Sequence, residues 1–134
     1  MINMRLWHQD LISKLPRQQL LGQHREVCAL RGAGWGRKHA TVDYVFKYAP
    51  ARLVAYHYLI MNEMRSRGYS PNEVWMEVDY RGTKLGEEVL WCDHAMMLGF
   101  LDAGEKGYPI FPEHNDAYLQ ECIENLKSKG IDIE

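Results

Sequence analysis

Pro50 opens the stretch that most narrows what this chain can become. From Ala51 to Arg67 no further proline or glycine interrupts it, and Leu53, Val54, His57, Ile60, Met61 and Met64 recur at the intervals of one helical face. The fixed φ of proline suits a first helical position, and Gly68 offers a left-handed stop. A helix with so broad an apolar stripe needs other elements to cover it. A second helix is expected from Pro16 to Arg31 through Leu20, Leu21, Val27, Cys28 and Leu30, with Ser13 or Pro16 as its start and Gly32 as its stop. Its polar face carries Arg17, Gln18, Gln23, Arg25 and Glu26. A last helix opens at Asn115 or Pro112, uses Tyr118, Leu119, Cys122, Ile123 and Leu126, and closes at Gly130. Between His39 and Tyr48 a short helix fits, although β-branched Thr41 and Val42 leave a strand open. Ser70 to Thr83 reads as a long connection with one extended piece at Val74 to Val78, and a further helix is expected from Lys84 to Phe100. The expectation is an all-α, compact single domain of four to five helices spanning 1–134, since 134 residues supply one core and not two.

The formal net charge of −2 hides a division. Residues 1–70 hold 11 Lys/Arg and 4 Asp/Glu, while 71–134 hold 5 and 14, so a basic half of +7 faces an acidic half of −9. Between Lys14 and Lys38 the only acid is Glu26, a distribution that suits a phosphate backbone. The loop Gly32-Ala33-Gly34-Trp35-Gly36-Arg37-Lys38 lacks the spacing of a Walker loop or dinucleotide fingerprint. Cys28, Cys92 and Cys122 form no Cys-x-x-Cys pair and read as three reduced thiols. No apolar run approaches the roughly 18 residues of a membrane span, so a soluble, cytoplasmic chain without a membrane partner is expected. The six histidines sit near carboxylates, but Cys92-Asp93-His94 and Glu113-His114-Asn115-Asp116 lack zinc-ligand spacing, and no metal or other cofactor is expected.

The segment Leu11 to Leu15, followed by Gln18-Gln19-Leu20-Leu21-Gly22-Gln23-His24-Arg25-Glu26, resembles the start of the pyrimidine-dimer DNA glycosylase family, the endonuclease V type known from phage. Gly34-Trp35-Gly36-Arg37-Lys38-His39 through Phe46 is similar to the family's Gly-rich turn and following His-containing helix. The likeness covers the first half, with a weaker echo at Tyr80-Arg81-Gly82. Small bacterial proteins beginning Met-Arg-Leu-Trp-His, as at Met4 to His8, look closer over the whole length. The resemblance implies a DNA repair glycosylase with abasic-site lyase activity on damaged or abasic double-stranded DNA. In the family a terminal α-amine attacks the sugar C1′ and forms an imine. Such an amine has a pKa of about 7.7–8.0 and is available near neutrality, while a carboxylate moves protons and stabilises charge on the sugar.

By that resemblance Glu26 is the catalytic carboxylate and Arg25 a DNA grip. The nucleophile aligns near Arg5, so Met1 and, for translation from there, Met4 are the candidate amines. Arg17, His24, Arg31, Arg37, Lys38 and His39 are expected DNA contacts, and Trp35 a stacking partner for an extruded base; Trp7 suits either stacking or the core. His57, on an apolar stripe, reads as a satisfied core histidine. The family's second gripping arginine falls on Ala29, its earlier histidine on Gln19, and its aromatic tail has no match in Lys127 to Glu134, so the lesion does not carry over. The alternative is a catalytically inactive nucleic-acid-binding or protein-interaction module.

Overall fold

The computed structural model describes residues 5–33, 35 and 42–133. Four α-helices form among them: α1 (Arg17–Arg31), α2 (Pro50–Ser66), α3 (His94–Glu105) and α4 (Asp116–Ser128). Short 3-10 helices add Gln9–Lys14, Asp43–Lys47 and Glu73–Met76. The described residues contain no strand, only an isolated antiparallel bridge between Tyr80 and Glu87, so the fold is all-α as the sequence predicts.

Helix α2 is the centre. Pro50 sits in its first turn and Gly68, at φ +85°, ends it. Ala51, Leu53 to His57, Ile60, Met61 and Met64 are buried, and five consecutive buried positions mean that the helix is covered on more than one side. Helices α1 and α3 and the Gln9–Lys14 turn all pack on it. One cluster of buried residues runs from Leu6 to Leu126, so the basic and acidic halves share a core. At about 1.5–3 kcal/mol per fully buried large aliphatic side chain, this shared interior holds the two halves together.

The amino end is pinned at both sides. The Gln9 side chain donates to the Tyr108 carbonyl at 2.8 Å and accepts from the Ile110 N–H at 2.8 Å, joining the first residues to the α3–α4 connection. Arg67 bonds the Leu15 carbonyl and Glu63, both at 2.7 Å, and clamps the end of the first 3-10 helix to α2.

Two expectations need correction. The helix expected from Lys84 to Phe100 begins only at His94 and runs to Glu105. Gly86 and Leu90 adopt φ of +62° and +67°, which no α-helix tolerates, and the Asp79 carboxylate instead accepts from the N–H groups of Leu90 and Cys92 at 3.2 and 2.9 Å. Of the extended piece expected at Val74 to Val78, Val74 to Met76 belong to the Glu73–Met76 3-10 helix, with the Asn72 side chain accepting from the Val74 N–H, and Glu77 has extended backbone at its end. In the His39 to Tyr48 segment, Asp43–Lys47 is a 3-10 helix.

Candidate active site

Helix α1 presents its chemistry on two flanks of one exposed ridge. On the first, Gln23 and Glu26 lie one turn apart and face the amino-terminal segment from Arg5 to Trp7. Gln23, almost fully buried, accepts from the Trp7 N–H at 2.7 Å and donates to the Arg5 carbonyl at 2.8 Å and to Glu26 Oε2 at 3.2 Å. The Tyr56 hydroxyl, from α2, donates to the Trp7 carbonyl at 2.6 Å and lies 2.8 Å from Gln23 Oε1. These bonds fix the backbone of Arg5 to Trp7 against α1, and the Arg5 N–H donates to Glu26 Oε2 at 3.3 Å. Glu26 and the amino-terminal segment therefore meet at Arg5. Burial pushes the Glu26 carboxyl above its usual pKa, an effect that the Arg5 N–H, Lys129, Arg25 and Gln23 partly offset.

Arg25 is exposed on the ridge and, with Arg17, Gln18 and Leu21, lines an open hollow of about 450 Å³. Arg17 also stacks over the Tyr69 ring at 5.3 Å, so both arginines offer positive charge on one accessible face.

Arg31 is not on that face, contrary to expectation. It is fully buried, donating to the carbonyls of Trp75, Glu77 and Tyr80 at 2.7–2.9 Å and lying over the Trp75 ring. Its guanidinium organises the chain after α2 and has no access to a phosphate. Trp7 is 6% exposed, with Lys129 over its ring at 5.3 Å, which places it in the core. Trp35 is half-buried and held edge-on by Phe46 at 5.0 Å and Trp91 at 5.6 Å. Met1, Met4, Arg37, Lys38 and His39 lie outside the described residues.

On the second flank His24 and Cys28, one turn apart, meet His57 of α2. His57 is completely buried between His24 and Arg31, the satisfied core histidine that its position predicts. Ligand atoms of His24, Cys28 and His57 all fall within 4.8 Å of one another, which makes this the set that spacing alone would offer to a cation. Its environment is unfavourable for one. Burial pushes the Cys28 thiol up to about 12, so the thiolate that a soft cation needs is costly to form, although burial and the Arg31 guanidinium keep His57 in the neutral form that can ligate. A cation here would also sit beside a buried guanidinium.

Sequence reasoning missed Gln23, Tyr56 and Lys129. Gln23 carried a signal, standing three residues before Glu26 on the same helical face; Tyr56 and Lys129 reach the site only through tertiary packing.

No helix among the described residues is long and apolar enough to cross a membrane. No curated protein and no solved structure matches the chain. A family profile described as pyrimidine dimer DNA glycosylase matches residues 4–77, a span that contains Arg5, Gln23, Arg25, Glu26 and the whole of α1 and α2. That match covers more than half of the 134 residues, and the chain belongs to the pyrimidine dimer DNA glycosylase family.

Proposed function

We propose that this protein is a DNA repair glycosylase with abasic-site lyase activity, acting on damaged or abasic double-stranded DNA through an amine at its amino end, with Glu26 as the proton-transfer group. The observation that carries the reading is the 3.3 Å bond from the Arg5 N–H to Glu26 Oε2, which brings the start of the described chain to the carboxyl. Met4 precedes Arg5 in the sequence, closer to it along the chain than Met1, the other candidate amine. Arg17 and Arg25, which line the open hollow on α1, supply the phosphate grip.

The amine attacks C1′ as the bond from C1′ to the damaged base breaks, and the base leaves with a proton. A proton passes from the amine nitrogen to O4′ as the C1′–O4′ bond breaks, which opens the sugar ring and gives the protonated imine. Removal of a C2′ proton by the Glu26 carboxylate then expels the C3′ oxygen with its phosphate, so the downstream strand leaves with a 5′ phosphate and the unsaturated sugar stays on the imine. A carboxyl with a raised pKa can hold a proton in the first step and accept one in the last.

Incubation with an abasic-site duplex and borohydride tests the reading, because reduction traps an imine as a covalent adduct. Peptide mapping is expected to find the adduct at Met1 or, in a version starting at Met4, at Met4. No adduct from either version, under conditions that trap a known glycosylase of this type, defeats the enzymatic reading and favours a binding module.

A further inference from the structure

The second flank of α1 carries a hydrogen-bond chain whose direction is fixed from inside the core. Arg31 has donors only, so its 3.0 Å contact with His57 Nδ1 makes that nitrogen an acceptor. A neutral His57 then carries its single ring proton on Nε2, which faces His24 Nδ1 at 2.9 Å. His24 Nδ1 accepts that proton's bond, which leaves the His24 proton on Nε2. The nearest acceptor named for that N–H is Cys28 Sγ at 3.8 Å, and a thiol sulfur accepts weakly. His24 follows Arg17 by seven residues and Leu21 by three, so along α1 it neighbours two of the four residues that line the hollow.

We propose that His24 is a DNA-contacting residue, its Nε2–H donating to an oxygen of the strand held by Arg17 and Arg25, with His57 and Arg31 as positioning residues that fix the tautomer. This rests on the DNA-binding reading above. A neutral donor adds a directed contact without releasing a counterion, so its signature differs from that of an arginine.

The test uses the full chain and an abasic-site duplex. Nitrogen-15 spectra of the free protein at pH 7 are expected to show both His57 and His24 protonated on Nε2, and His24 Nε2 is expected to shift on DNA addition. His24→Phe is expected to weaken binding about tenfold, the scale of one hydrogen bond, with the salt slope unchanged. His24→Gln, which keeps an N–H donor, is expected to recover most of that loss. Arg25→Ala instead lowers the slope by about one. Unaltered affinity in His24→Phe, or a His24 proton found on Nδ1, overturns the proposal while leaving the DNA reading intact. A wild-type chain that does not bind the duplex at low salt removes both. A cobalt(II) titration giving a thiolate-to-metal absorption that Cys28→Ser abolishes also overturns it, because the cation takes the place of the His57 proton.

Discussion

Glu26 is held by groups that want it charged in a setting that does not. Its folded pKa is raised, so both states are protonated at low pH and no cost arises there. As pH climbs past the unfolded value, the unfolded chain ionises first, and the full cost to stability is present above the folded value. Glu26→Gln is therefore expected to be more stable than wild type at pH 7 and no more stable at pH 3, read as urea midpoints at the two values. The same variant is expected to lose strand cleavage and keep most DNA affinity, since it deletes a proton carrier and no cation. Arg31→Met is expected to cost about 3–5 kcal/mol in urea denaturation, because three buried carbonyls lose their donor. If Arg31 gripped phosphate instead, the loss would appear in the salt slope of binding. The Arg25-Glu26 pair was legible from its resemblance and from its place on the polar face of α1. Arg31 was misassigned although a signal existed: it follows Val27 by four residues and Leu20 by eleven, on the buried stripe.

Helices α1, α2 and α4 follow their sequence signals closely, since each has a proline, asparagine or glycine at an end and an apolar stripe between. Helix α3 was shifted by about a turn and a half at its far end and more at its start, because Val89 and Leu90 entered the count of apolar positions. Both are exposed, at 80% and 88%, and the backbone of Leu90 and Cys92 is held by Asp79, a partner 11 and 13 residues away that no local window contains. The real start is set by Asp93, whose side chain accepts from the Met96 N–H at 3.0 Å. Asp93→Ala is expected to cost about 0.5–2 kcal/mol in thermal unfolding, as loss of a helix cap does. At the other end of α1, a Cβ added to Gly32 would stand 2.9 Å from the Arg81 carbonyl oxygen. That oxygen is backbone and cannot swing aside, so Gly32→Ala is expected to cost about 1–3 kcal/mol by the same measurement.

Over the whole molecule, the charge division read from the sequence does not correspond to two bodies, because one core serves both halves. Removing two cations from the accessible face, in the double variant Arg17→Ala with Arg25→Ala, is expected to lower the salt slope of DNA binding by about two. Filter binding across a salt series reads this directly, and an unchanged slope would place the DNA elsewhere. The Arg31 cage has a further consequence for how the family unit is to be cut. The family match ends at residue 77, yet the third carbonyl around Arg31 belongs to Tyr80. Arg81 returns to bond the carbonyls of Arg31 and Gly32 at 2.8 and 3.1 Å, and α3 lies against α2. The portion that bears the family signature thus takes its closing pieces from the portion that does not. A fragment of residues 1–77 would leave a guanidinium short of an acceptor and the central helix uncovered, and is expected to show no cooperative melting transition. Grafting that signature onto another scaffold would have to bring the acidic half with it.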